Sequence, residues 1–542
     1  MRQVQTEVLV IGGGATGAGV LRDLAMRGFK AILVERQDWC SGTTGRYNGV
    51  LHSGSRYSLN DVQTAQECIR ENRVLRRIMP HCIEDTGGYL VATPWDDPAF
   101  GDHLISCCQK VGIPLEEVPL SVALRSEPWL NPGIRRCLRA PDAMADSFLA
   151  TRANLESARQ YGAQAWNYHP VTKLLVKGNR VVGAECKDLV KDAMVTILAD
   201  LVINAAGAWA GQIAAMAGLH IPIVCSKGSM IGVHYRLVNT AIIRLHWPAD
   251  NDSVVPSHTV SVLGCNDVVV DDPDAAWAEP AEIQAIIEET SKLVPAAREM
   301  RKLRVWTGVR PLHQNSEVNS TTGRQLSRSH VILDHSQRDG LDGLVSIVGG
   351  KWTTYRLMAE QAVDQACRML GSPRPCRTQL EALPGAEPTS YHRRTAPLAR
   401  TEDLAGYGQL VCECELVNLD EVEDALVRED IRTLDDVRRI SRLGMGSCQG
   451  GVCAYRATGL FHRLRQPTSG QVNALLLEFL QARWKGITPV LFGSQLRQMR
   501  LNELIYGDVL SADRVSTKVT QDLRPTETSR VSYVQDAHRT LA

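Results

Sequence analysis

The chain has 542 residues and carries 60 Lys and Arg against 60 Asp and Glu, so its formal net charge is zero. That balance argues against a nucleic-acid-binding protein, and no run approaches the ~18 apolar residues needed to cross a membrane. The length calls for two to four domains, and fifteen cysteines in a chain that opens straight into a strand, with no secretory leader, suit a reducing cytoplasmic compartment better than a disulfide framework.

Val8, Leu9, Val10 and Ile11 form a short apolar run. Gly12, Gly14 and Gly17 follow at G-x-G-x-x-G spacing. Residues 15–26 continue at helical period, Gly28 closes the helix, and residues 31–34 are a second apolar strand ending at Glu35. In such a unit the first glycine makes a tight turn, the second lets backbone approach a pyrophosphate, and the third lets helix pack on strand. Ala15 and Thr16 open the helix, whose free N–H groups face the phosphates. Glu35 is placed to accept ribose hydroxyls, with Arg36 beside it.

Residues 40–57 are rich in Gly, Ser, Thr and Asn. Thr43, Thr44, Gly45 and Asn48 are placed to track a dinucleotide towards its reactive ring, and His52, Arg56 and Tyr57 stand near the end of the loop. Residues 62–79 read as an amphipathic helix. A strand at 89–92, a helix at 103–111 and a turn-rich passage at 127–133 look like an insertion that begins a substrate-covering domain. Residues 148–161 are helical. Short strands are expected at 164–168, 171–176 (beginning at Val171), 180–187 and 195–198, with a tight turn at Gly178-Asn179. A separate apolar strand from 200 runs into Ala205, Ala206 and Gly207, with its end facing the cofactor.

Residues 222–275 alternate apolar and polar and predict a mixed or antiparallel sheet. Helical stretches follow at 280–293 and 296–300. Residues 304–312 bring Arg304 and Arg310, and 325–334 adds Arg328. At 341–355 an apolar strand meets Gly350, Lys351, Thr353 and Thr354, and a helix follows at 356–367. Cofactor-like segments thus recur near 12, 45, 205 and 350 between pieces of another domain, a pattern that suits an extended FAD. The expected fold is α/β. Residues 1–370 combine a Rossmann-like FAD domain (1–80, 140–215, 335–370) with an interleaved mixed-sheet substrate domain (81–139, 216–334).

Residues 371–408 read as a linker. Cys412 and Cys414 then form C-x-C, and after 33 residues Cys448 and Cys453 form C-x4-C. Helical segments are expected at 419–427, 433–443, 454–465 and 469–484. Four thiolates in this layout can hold an iron–sulfur cluster or zinc, although C-x-C is tighter than the usual structural zinc spacing. The cysteine-bearing domain is set at 409–468, and 469–542 as a C-terminal helix and a partly mobile tail.

The motifs GGGATGAG, GTTGRYNGVLHSGSRY, VINAAGAWA, TGVRPL and GGKWTTYR, in this order, resemble the FAD-dependent glycerol-3-phosphate dehydrogenase family. The likeness spans essentially the whole chain, and the extension resembles a bacterioferritin-associated ferredoxin-like [2Fe–2S] domain. The resemblance implies FAD and a [2Fe–2S] cluster held by Cys412, Cys414, Cys448 and Cys453. It implies oxidation of sn-glycerol 3-phosphate to dihydroxyacetone phosphate, with a hydride leaving C2 for the flavin. It also implies partner flavoprotein-like and iron–sulfur subunits on the inner face of the membrane, delivering electrons to quinone. Arg56, Arg310 and Arg328 suit a phosphate dianion, with Tyr57 beside them. His52 suits a general base, and Lys351 suits a stabiliser of negative charge near flavin or substrate. Another hydroxy acid, polyol phosphate or amine as substrate, or a flavin component that no longer turns over, are the competing readings. One departure bears on the choice. Where the family pattern carries Gly-Thr-Thr or Gly-Pro-Thr, this chain has Gly264-Cys-Asn-Asp267, and a carboxylate there repels a phosphate unless an arginine pairs with it.

Overall fold

The computed structural model describes residues 2–314, 326–386 and 408–514. The first sheet has eight strands built around Arg2–Ile11, which pairs in parallel with Ala31–Val34 on one side and Ala193–Asn204 on the other. Gln164–Trp166 extends the sheet beyond Ala31–Val34, and Leu344–Gly349 lies parallel to the end of Ala193–Asn204. Helices Ala15–Met26, Ser147–Gln160 and Tyr355–Met369 cover one face, around a core of Val8, Val10, Leu21, Leu24, Leu155, Ile203 and Met358. Crossovers of this kind bury both faces of a parallel sheet, which is why its strands read as unbroken apolar runs.

Several boundaries differ from the sequence reading for identifiable reasons. The first strand begins at Arg2, because Gln3 and Gln5 lie on its solvent side. The strands expected at 195–198 and from 200 are one strand, Ala193–Asn204, in which Asp200 is only the exposed member of a regular alternation. Its first half pairs antiparallel with Arg180–Asp188, and its second half is buried between parallel neighbours. His330–Asp334 pairs with Leu344–Gly349 and so belongs to this sheet, not to the substrate domain. The helix expected at 296–300 is a single 3-10 turn, Pro295–Arg298.

The second sheet has nine strands and is mixed. Ile223–Val233 pairs antiparallel with Lys302–His313 along its whole length, and Gly88–Ala92 lies parallel to Ala241–Arg244. Pro280–Leu293 packs on it through Ile283, Ile286 and Ile287. The sheet is assembled from both sides of the Ala193–Asn204 strand, so the chain enters and leaves the nucleotide sheet to build it.

The C-terminal unit is a set of short capped helices. Asn418 and Thr433 each accept a hydrogen bond from the third backbone N–H of their helix, and the Glu421 and Asp436 carboxylates reach back to the caps. Leu475, Leu476 and Phe479 of Ser469–Ile487 share one core with Val411, Val422, Val437 and Phe461. The boundary drawn at 468 therefore cuts through a packed unit. The unit docks on the first sheet's domain through polar contacts: Trp39 donates to Asp430 (2.9 Å), Tyr168 to Asp436 (2.8 Å), and Arg439 pairs with buried Asp38 (3.0 Å). The early part of the expected linker is a strap held by Arg22, which donates to the carbonyls of Thr378 and Glu381, and by Leu383, whose N–H donates to Ile78 O. The rest of the linker, and the tail expected to be mobile, lie outside the described residues.

Arg356 binds the fully buried Glu71 through two hydrogen bonds of 2.6 and 2.7 Å, tying Val62–Ile78 to Tyr355–Met369. Removing one partner strands the other charge in the core. Arg356→Met is expected to cost about 3 kcal/mol in urea unfolding. The double variant Arg356→Met with Glu71→Leu should recover most of that loss, and a double variant as unstable as the single one would contradict this account.

Candidate functional site

The parallel strands end on one side of the first sheet, where the chain turns away at Gly12, Glu35, Ala205 and Gly350. All four turns border a cavity of about 1080 Å³ that continues to the second sheet. Gly12, Gly14, Ala15, Thr16, Glu35, Arg36, Thr43, Thr44, Asn48, Val171, Ala206, Gly207, Gly350 and Thr353 line it. So do His52, Arg56, Tyr57, Arg310, Arg328 and Lys351. Gly12 has φ +113°, and a Cβ there would sit 2.6 Å from Ala205 O, so only glycine fits. The Thr44 hydroxyl accepts from Ala15 N (3.0 Å), and the Thr43 hydroxyl donates to Val309 O (2.6 Å), which fastens the loop to the first helix and to the second sheet. The Glu35 carboxylate accepts from the N–H groups of Gly13 (2.6 Å) and Gln37 (3.0 Å). Burial pushes that carboxyl up, against these two donors.

Three expected cofactor residues do not line the cavity. A Cβ on Gly17 would lie 1.9 Å from Gly12 O, so Gly17 serves helix-on-strand packing. Gly45 is closed in by Cys40 O and the Phe148 ring. The Thr354 hydroxyl donates to Lys351 O (3.2 Å) and so holds the turn.

At the second sheet the cations differ in how far they are already neutralised. Arg56 grips Asp252 with both terminal nitrogens (3.1 and 2.5 Å), while its buried Nε has no partner. Burial opposes ionisation of Asp252, yet the Arg56 guanidinium holds that carboxyl well below its usual range. Arg328 pairs with Asp267 (2.6 Å), and the Asp267 carboxylate also accepts from the Ser226 hydroxyl (2.7 Å). The acid in the departure from the family pattern is therefore paired with an arginine. Arg310 donates to Ser226 Oγ (3.1 Å), Cys265 Sγ (2.8 Å) and Asn266 O (3.2 Å), and lies against Gly228, where a Cβ would be 2.5 Å from its guanidinium. Lys351 donates to Arg328 O (3.2 Å) and sits 4.0 Å over the Tyr57 ring. Neither Arg310 nor Lys351 has a carboxylate within ion-pair distance among the described residues. Burial lowers the Lys351 ammonium to about 8, with Arg328 adding to it. Burial, with Lys351 and Arg56, lowers the His52 imidazole to about 4 against the pull of Asp142, so His52 is neutral at ordinary pH.

Sequence reasoning did not single out Arg46, Asp252 or Asp142. Arg46 sits inside a motif already quoted. Asp252 is one of several acids in a turn, and only its partner across the fold distinguishes it.

The four cysteines come together. Cys453 is near enough to Cys412 and Cys448, and Cys448 to Cys414, for each to perturb the other's thiol. Backbone N–H groups of Gly444 and Glu415 near Cys412, and of Gly450 and Val452 near Cys448, favour the ionised thiols. Such donors stabilise thiolate charge, as an iron–sulfur centre requires. Gly446 is pressed against Cys414, where a Cβ would be 2.4 Å from the cysteine's own.

Residues 7–356 match the family "FAD dependent oxidoreductase". The chain belongs to that family. Residues 410–463 match the "BFD-like [2Fe-2S] binding domain". FAD and a [2Fe–2S] cluster are the enzyme's cofactors, and the cavity and the cysteine quartet have the donors each needs. One component of the anaerobic glycerol-3-phosphate dehydrogenase of Escherichia coli (strain K12) is 40% identical over 94% of this chain and 97% of its own length. The component of the same name from Haloferax volcanii is 38% identical over 95% and 92%. Among solved structures, the FAD-complexed glycerol-3-phosphate dehydrogenase of Bacillus halodurans aligns at a TM-score of 0.57 and 21% identity, covering 96% of this chain and 97% of that one. It supports the oxidoreductase fold. Among the described residues no helix is long and apolar enough to cross a membrane.

The lowered Lys351 has a direct consequence for stability. Between its folded value of about 8 and its ordinary 10.5 the unfolded chain binds more protons, so stability rises with pH across that window. Below it the half-buried ammonium costs roughly 3 kcal/mol. Lys351→Met is expected to raise the melting temperature at pH 7 and to flatten the rise between pH 8 and 10.5. A lower melting temperature at pH 7 would contradict the assignment.

Proposed function

We propose that the enzyme oxidises sn-glycerol 3-phosphate to dihydroxyacetone phosphate and passes the electrons through its cluster to partner subunits. The observation that carries this reading is a pair of half-buried cations, Arg310 and Lys351, with no carboxylate partner among the described residues, while Arg56 and Arg328 beside them are already paired. A phosphate dianion supplies the missing charge, and the guanidinium fork matches its oxygens. The relatives named as components of anaerobic glycerol-3-phosphate dehydrogenase support the same substrate.

When bound, FAD accepts the electron pair from C2 and the cluster carries electrons onward singly. Arg310 holds the phosphate, and Arg56 and Arg328, each paired with an aspartate, shape the wall around it. His52, neutral and in the cavity wall, takes the hydroxyl proton. A phosphate dianion beside it raises its basicity, because a nearby negative charge favours the imidazolium. Lys351 stabilises negative charge that develops beside it, and Tyr57 supports the ammonium with its ring face. The cysteine quartet gives electrons an exit, which supports a dehydrogenase working with a membrane-docked iron–sulfur partner and quinone at the inner face of the membrane.

In dye-linked assays, replacing glycerol 3-phosphate by glycerol should remove nearly all turnover. Arg310→Gln should raise KM roughly 10- to 100-fold, as expected for loss of a charge-assisted hydrogen bond. Unchanged KM in that variant, or equal use of glycerol, would reject the phosphate reading. Because the Lys351 ammonium is lost as pH rises through about 8, kcat/KM should fall above that pH, and Lys351→Arg should move the alkaline limb upward.

A further inference from the structure

Beside the first cavity lies a second chamber of about 770 Å³. Ser41, Arg46, Tyr47 and Asn48 border both. Its far wall comes from the C-terminal unit and includes Met445 and Gln449, the latter adjacent in sequence to Cys448. The chamber thus spans the boundary between the cofactor loop and the cysteine quartet. Nothing in the proposed reaction uses it.

Its charges do not balance. Arg438 is answered by Asp435 (2.7 Å), Arg439 by Asp38 (3.0 Å) and Arg442 by Glu415 (2.9 Å). Three further arginines lining it have no carboxylate within ion-pair distance among the described residues: Arg46, Arg304 and Arg483. Arg483 is only 4% exposed, and its Nε has no partner. Its NH1 reaches Gly444 O and Gln449 Oε1 only at 3.5 Å. The buried Nε of Arg304 is also unpartnered. These cations work against one another. Burial lowers the Arg304 guanidinium to about 10, with Arg438 and Arg46 adding to it, and Arg483 is pushed down by burial and by Arg304.

Guanidinium groups are costly to bury unpaired, and their forked donors match phosphate oxygens. Tyr47 and Trp306 add aromatic wall to the same space. We propose that this chamber binds a small phosphate-bearing anion, held by Arg46, Arg304 and Arg483 at the boundary between the flavin region and the cysteine quartet. The occupant neutralises the three cations and ties the C-terminal unit to the cofactor loop. This inference does not depend on which substrate the first cavity takes.

The test is thermal unfolding of the full chain loaded with FAD and cluster, at constant ionic strength and with excess glycerol 3-phosphate, as inorganic pyrophosphate is added. The melting temperature should rise by several degrees and saturate. Arg304→Gln should keep its flavin content and its turnover, should melt higher than the parent without pyrophosphate, and should need at least tenfold more pyrophosphate for the same rise. Arg483→Gln should behave alike, and if it fails to fold, Arg304→Gln and Arg304→Met decide. Adenosine monophosphate in a parallel titration separates the sources. A stronger response than to pyrophosphate marks a nucleotide, a weaker one a free phosphate anion, and both support the site. No rise with either probe, or a rise of parental strength in the Arg304 variants, overturns it.

Discussion

The parallel pairing of Arg2–Ile11 with Ala193–Asn204 is the contact on which the rest of the molecule depends. Nine residue pairs join two strands that lie far apart in the chain, and all the intervening sequence must leave and return for them to form. The register brings Ile11 beside Asn204, so the two strands end together. Gly12 then turns against Ala205 with no room for a side chain. Ala31–Val34 and Leu344–Gly349 join in parallel, and every chain reversal at that edge falls on one cavity. A slip of one residue would turn every side chain of the strand to the opposite face of the sheet and part Gly12 from Ala205.

Charge is handled in the same architecture by leaving some cations short of partners. Asp252 and Asp267 neutralise Arg56 and Arg328, and by doing so they fix where those guanidiniums point. Arg310 and Lys351 keep charge that no carboxylate among the described residues meets, and burial lowers the Lys351 ammonium to about 8. The ferredoxin-like unit is joined to the flavin domain by contacts of the opposite kind, satisfied ion pairs and hydrogen bonds at Asp38, Asp430 and Asp436.

Much of this is legible in the residues. The helix Ala15–Met26, the strand Ala31–Val34 and the helix Pro280–Leu293 lie where glycine spacing, apolar runs and Pro280 place them, because each is decided locally. The cysteine quartet is legible from spacing alone, and its gathering around backbone donors follows from the turns between the short capped helices. What cannot be read locally depends on distant partners. Asp200 reads as a strand break while its neighbours across the sheet are unknown. His330–Asp334 reads as part of the substrate domain until it is paired with Leu344–Gly349. Asp267 reads as repulsive beside a phosphate, and only the fold supplies the arginine that answers it. Arg304 and Arg310 stand six residues apart on one strand yet face different chambers, a distinction that needs both sheets and the C-terminal unit to be in place.

The central claim is that one cavity brings glycerol 3-phosphate to the flavin and that the cysteine quartet drains the electrons. Anaerobic optical titration of the loaded chain with glycerol 3-phosphate tests it most directly. The account predicts that the flavin band bleaches and that the cluster signal is reduced with it or on addition of a partner. A flavin that stays oxidised under glycerol 3-phosphate, while dithionite still reduces it, would contradict the claim.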